Sequence, residues 1–206
     1  MSLDEIFIEF VHNLAEMGGA FFTPFFRFIS ILGEKCWLFV LIAIILMLKK
    51  KTRWVGATIF LAILLGFIFS SVLIKPLIMR DRPYVADIIF QKYWEFVGGI
   101  MDTGYSMPSG HCTGVTAFFV SLYITSKKQN RGLISTIGII CVTLMVFARC
   151  YFMHHYFTDC VAGIILGTIV SFIAKAIIRI IHMICKKYED ITLFNFILNF
   201  NIGKKA

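Results

Sequence analysis

The chain has 206 residues, of which 59% are hydrophobic and 16% aromatic, including 22 Phe, more apolar material than one soluble core of that length takes up. This composition excludes an ordinary soluble enzyme and points to a polytopic membrane protein. The formal charge of +8 does not suggest a nucleic-acid partner, because the cations fall in short runs beside apolar stretches, as anchors at an anionic leaflet do.

At the start of the chain Asp4, Glu5 and Glu9 stand where a cationic leader region would be, so retained spans rather than a cleaved signal peptide are expected to carry insertion. From Ser2 to Met17, Leu3, Ile6, Phe7, Phe10, Val11 and Leu14 recur at helical spacing opposite Asp4, Glu5, Glu9, His12 and Glu16. The pattern predicts an amphipathic helix lying at the membrane interface, its acids serving packing rather than catalysis. Gly18, Gly19 and Pro24 then punctuate the chain.

Cys36–Leu48 is short of the roughly 17 to 25 residues a span needs, but Glu34, Lys49 and Lys50 can snorkel and extend it. Trp54–Ile74, Ser109–Ser126, Gly132–Ala148 and Cys160–Ile184 complete five expected spans. The expected fold is all-α: a polytopic membrane bundle of five to six helices, with an amphipathic segment over 1–32, an embedded domain over 33–186 and a tail over 187–206. Lys49, Lys50, Lys51 and Arg53 follow the first span, Lys127, Lys128 and Arg131 the third, and Lys175, Arg179, Lys186 and Lys187 the end of the fifth. These ends are expected in the cytoplasm, which puts 75–108 and 150–158 on the extracytoplasmic face. The six cysteines show no CxxC spacing, so neither a disulfide scaffold nor a zinc site is expected. Gly163 and Gly167 read as a close helix contact.

Polar chemistry concentrates at that outer face. Lys75, Arg80 and Arg82 place three cations within eight residues as the second span ends, a cluster suited to an anion or to lipid headgroups. Pro108-Ser109-Gly110-His111 turns directly into a helix, whose first N–H groups and Ser hydroxyl suit a phosphate, and His111 has the titration range for proton transfer. Arg149, His154, His155 and Asp159 follow between the fourth and fifth spans. If His155 begins a helix, Asp159 lies one turn later and can orient its ring; the bland alternative is an Arg149–Asp159 ion pair joining two helices.

Together the three segments resemble the signature of the type 2 phosphatidic acid phosphatase family, related in catalytic architecture to vanadium haloperoxidases: Lys-x6-Arg-Pro, Pro-Ser-Gly-His and Ser-Arg-x5-His-x3-Asp. Lys75 and Arg82-Pro83 fit the first, Pro108 to His111 the second, and Arg149, His155 and Asp159 the third, a spacing that selects His155 over His154. Ala148 departs from the Ser before Arg149, and Phe157 stands where many relatives have Pro. The resemblance implies a metal-independent hydrolase with no cofactor. His155 is its nucleophile, Asp159 orients that ring and His111 is the acid and base, while Lys75, Arg82, Arg149, Ser109 and Gly110 hold the phosphoryl group. The implied substrate is a lipid phosphate, either a polyprenyl diphosphate or a glycerophospholipid monoester such as phosphatidate or phosphatidylglycerol phosphate. The implied place is the cell membrane. A lipid phosphotransferase of the same family and a non-catalytic anion-binding protein or transporter are the alternatives.

Overall fold

The structure is a computed structural model describing residues 1–201; the last five positions of the expected tail lie outside the described residues. Every regular element among the described residues is helical. Helix α1 (Leu3–Gly33) is opened by Ser2, whose hydroxyl accepts from Glu5 N–H while the Glu5 carboxylate accepts from Ser2 N–H. The expected stop near Met17 is corrected: the helix continues to Gly33, with a kink at Gly18 (φ −157°, ψ 36°) and Pro24 inside it. Glycine and proline each disfavour a helix interior. Here packing outweighs them, with Phe26 against Tyr151 and Phe147, and Thr23 Oγ1 2.7 Å from the Tyr151 hydroxyl.

After two left-handed residues, Lys35 and Cys36, helix α2 (Trp37–Met47) runs back toward the basic turn at 48–52. Helix α3 (Arg53–Phe67) returns through a π-helical segment, Ile68–Ile74, into the short α4 (Lys75–Ile78). Two short helices, α5 (Pro83–Ala86) and α6 (Ile88–Phe96), cover the end of the bundle that α4 reaches. Tyr93 stacks on His12 and Trp94 on Tyr84, so these aromatics tie α6 to the bundle.

Three further helices complete the bundle: α7 (Gly110–Thr125), α8 (Arg131–Tyr151) and α9 (Phe157–Lys187). The last helix, α10 (Thr192–Asn199), docks at the opposite end, where Lys50 Nζ donates to Asn199 Oδ1 at 2.7 Å. Four stretches among the described residues are long and apolar enough to cross a membrane: Leu3–Met47, Arg53–Ala86, Lys128–Tyr151 and Phe157–Lys187. The 16-residue α7 is the central helix, packed on α3, α8 and α9. A Cβ at Gly163 would sit 2.6 Å from Ser109 O, and one at Gly167 2.5 Å from Thr113 O. These two glycines therefore let α9 seat directly on the first turns of α7. All six cysteines are free.

Candidate active site

The residues named from sequence converge at one end of the bundle, around a cavity of about 530 Å³. Lys75, Arg82, Gly110, His111 and His155 line its head, and Val40, Phe60, Ile63, Leu64 and Phe67 line the part between α2 and α3. A second chamber of about 300 Å³, lined by Arg27, Glu34, His154 and Arg149, shares Lys35, Asp102 and His111 with the first.

His155 does not begin a helix. It sits in the turn before α9, where Tyr156 is the N-cap and Asp159 the third helical residue. Asp159 Oδ2 accepts from Tyr156 N–H at 2.9 Å, which fixes the carboxylate by helix capping. Its same oxygen lies 3.7 Å from His155 Nδ1, close to the ring but too long for a hydrogen bond. His155 is 1% exposed. Burial first, and then the Arg149 and Arg82 guanidiniums, push its pKa well below the usual histidine value, so the ring is held neutral.

The bland ion pair between Arg149 and Asp159 does not form. Asp159 Oδ1 instead accepts from Arg80 Nη1 at 2.6 Å, and Arg80 Nη2 donates to Asp4 Oδ2 at 2.7 Å. Asp4 also accepts from Thr158 N–H at 2.9 Å and from its hydroxyl at 2.8 Å, while Arg80 lies over the Tyr156 ring. The acid at the head of α1 thus braces the start of α9, a role the helical pattern of 2–17 did not reveal. Asp4 and Arg80 are contacts sequence reasoning missed, since they pair across more than 70 residues of chain.

Arg149 is 4% exposed, and its Nη2 donates to Asp102 Oδ2 at 2.9 Å. Arg82 Nη1 is 3.0 Å from the same oxygen and also donates to His154 O at 3.0 Å. Burial raises the Asp102 pKa, but Arg82 and Arg149 outweigh it and hold the carboxyl below its ordinary value. Asp102 was not singled out from sequence; no local motif surrounds it.

Ser109 is placed differently from expectation. It is fully buried, its hydroxyl caps α7 by accepting from Cys112 N–H at 3.5 Å, and its N–H donates to Asp159 O at 3.0 Å. Its hydroxyl points into the helix start, and the cavity is lined there by Gly110 and His111. As first residue of α7, Gly110 keeps an N–H without an intrahelical partner. His154 is turned away from His155: its Nε2 is 2.8 Å from Ile100 O and can only donate to that carbonyl. Burial, followed by Arg149, pushes its pKa down to about 3.

Several known proteins are similar to this chain. An undecaprenyl-diphosphatase of Sulfolobus acidocaldarius is 28% identical over 73% of this chain and 68% of that protein. A lipid A 4'-phosphatase of Porphyromonas gingivalis is 30% identical over 71% of this chain, which spans 62% of that protein. Phosphatidylglycerophosphatase B of Bacillus subtilis is 27% identical over 71% of this chain and 70% of that protein. The crystal structure of a transmembrane PAP2-type phosphatidylglycerolphosphate phosphatase from Bacillus subtilis superimposes with a TM-score of 0.66, covering 84% of this chain and 83% of that one, at 22% identity. That likeness speaks for the fold, a multi-span helical membrane bundle. Since residues 54–182 also match the PAP2 superfamily model, and all three motifs lie within them, the chain belongs to the PAP2 superfamily.

Proposed function

We propose that the protein is a lipid phosphatase that removes a terminal phosphate through a phosphohistidine. The observation that carries this reading is the cavity whose head is lined by Lys75, Arg82, His111 and His155 and which continues into an apolar groove lined by Val40 of α2 and Phe60, Ile63, Leu64 and Phe67 of α3. A phosphate at the head and a hydrocarbon chain in the groove would satisfy both parts at once.

Lys75, Arg82, Arg149 and the Gly110 N–H hold the phosphoryl oxygens and stabilise charge as it develops. Three fixed cations supply the charge neutralisation that a metal ion supplies in other phosphoryl-transfer sites. With Nδ1 toward Asp159, His155 attacks through Nε2; the N–P bond forms, the P–O bond to the lipid breaks, and His111 gives its proton to the leaving oxygen. Water then loses a proton to His111 and attacks phosphorus, breaking the N–P bond and releasing phosphate. Asp159 orients the ring as its approach to Nδ1 shortens in the complex.

Phosphate release by purified protein in detergent, with chelator present, tests the proposal against phosphatidate, phosphatidylglycerol phosphate, a polyprenyl diphosphate and a soluble phosphate ester. Release from a lipid substrate in preference to the soluble ester is expected; failure on every lipid phosphate would overturn it. The site is assigned to the extracytoplasmic face of the cell membrane, because the basic runs 49–53, 127–131 and 186–187 lie at the other end. In a background without native cysteines, Thr103→Cys on intact cells should react with a membrane-impermeant thiol reagent, and Gln129→Cys only after lysis. The reverse pattern would invert the topology.

A further inference from the structure

Lys75 and Arg82 line the head of the cavity and Arg149 the adjoining chamber, and Asp102, which borders both, is paired with the two guanidiniums. Asp102 Oδ2 lies 2.9 Å from Arg149 Nη2 and 3.0 Å from Arg82 Nη1, the position a phosphoryl oxygen must take to be held by both guanidiniums. The backbone around it is anchored without that carboxylate. Arg82 donates from Nε to Gly104 O at 2.9 Å and from Nη2 to Thr103 O at 3.1 Å, and the Tyr84 hydroxyl donates to Asp102 O at 2.7 Å. His154 and Arg27 hold Ile100 O and Gly98 O at 2.8 Å each. The side chain is also 37% exposed, and it borders the second chamber, where Arg27 and Lys35 offer other cationic partners beside one further carboxylate, Glu34. A rotation about its own side-chain bonds can therefore vacate the clamp while the loop stays in place.

Building on the lipid phosphatase reading, we propose that Asp102 is a resident anion that the substrate displaces, and that this makes it a specificity-determining residue selecting terminal phosphates over phosphodiester headgroups. A terminal phosphate carries about −1.5 to −2 charges near neutral pH, its second pKa being about 6. A diester carries one. Exchanging the Asp102 carboxylate for a diester replaces one negative charge with another, gains nothing in the clamp and still requires the headgroup to be desolvated. Exchanging it for a terminal phosphate adds charge among Lys75, Arg82 and Arg149. The enzyme thereby ignores the diester lipids that surround it in the bilayer, by an unfavourable competition rather than by shape.

The test measures binding and turnover separately, in wild type and Asp102→Asn protein in detergent. Calorimetric titration with inorganic phosphate should show affinity rising about tenfold in Asp102→Asn, the scale of removing one competing charge from a partly buried site. In phosphatidate turnover, added phosphatidylglycerol should leave the wild type unaffected and inhibit Asp102→Asn competitively. Asp102→Glu, which keeps the charge, should retain the exclusion. Weaker or unchanged phosphate binding in folded Asp102→Asn, or no diester inhibition, would make Asp102 a fixed support for the arginines and overturn the proposal. If Asp102→Asn does not fold, Asp102→Ser is read by the same two measurements and the same criteria. Absence of wild-type turnover would refute the phosphatase reading instead, while the phosphate titration would still report on displacement at the clamp.

Discussion

Two arginine–carboxylate networks flank His155, and they have opposite charge excess. On one side a single guanidinium, Arg80, lies between two carboxylates, Asp4 and Asp159, and both acids are further held by N–H groups of Thr158 and Tyr156. On the other, Arg82 and Arg149 share one carboxylate, Asp102, and Lys75 lines the same cavity as Arg82 and Asp102. The first network is saturated and has no use for a further anion. The second lacks negative charge, so it is the one proposed to take a phosphate. The lesson is that an arginine near a histidine says little about binding until the carboxylates around it are counted.

Mutations at the histidine between the networks should have the largest effect. His155→Ala is expected to reduce turnover to background while the protein remains inserted, whereas His111→Ala should still become phosphorylated by a substrate with a good leaving group. Acid quench and detection of a phosphoprotein distinguish the two, and wild-type turnover by His155→Ala would remove it as nucleophile.

The anion-hungry network comes next. Arg149→Lys keeps the charge and loses the planar fork, so turnover should fall on the order of 10²-fold and vanadate inhibition should weaken. Normal catalysis and inhibition in a folded variant would take Arg149 out of the site.

Breaking the saturated network should be milder and of a different kind. Asp4→Asn loosens Arg80 from above Asp159 without touching the clamp, and a loss in kcat of about tenfold is expected with vanadate inhibition unchanged. Parallel loss of both would show that the two networks are not separable. His154→Asn should be smaller still, a few-fold at most, because the one hydrogen bond its ring makes is to Ile100 O and its other contacts are packing on Tyr84 and Phe152.

The pH dependence sharpens the same comparison. A lowered histidine pKa means that the ring takes up its proton only at more acidic pH, so His155 stays neutral, as the proposed nucleophile must be, below its ordinary value of 6.5. The acid limb of kcat/KM attributable to His155 should therefore lie below that value, and a limb at or above it would show that the arginines and burial do not act on the ring as the geometry implies.

The amino-acid sequence by itself was enough for the all-helical membrane class, the five-to-six helix bundle and the collection of all three motifs at one end. Apolar runs, basic flanks and motif spacing are local properties, and bilayer thickness converts them directly into spans and ends. It also identified Gly163 and Gly167 as a close contact, because small residues at that spacing have few other uses in an apolar helix. Only the tertiary structure decided the rest. Gly18 kinks α1 without ending it, since contacts from Phe26 to α8 compensate a local preference that reads as a stop. Ser109 turns inward because capping α7 satisfies backbone donors that would otherwise be unpaired at the helix start. Arg80 finds Asp4 and Asp159 76 and 79 residues away, and Asp102 finds Arg149 47 residues away as well as the nearer Arg82, separations that no helical repeat links. Which carboxylate neutralises which arginine depends on how the helix ends meet, and that is settled by packing rather than by pattern.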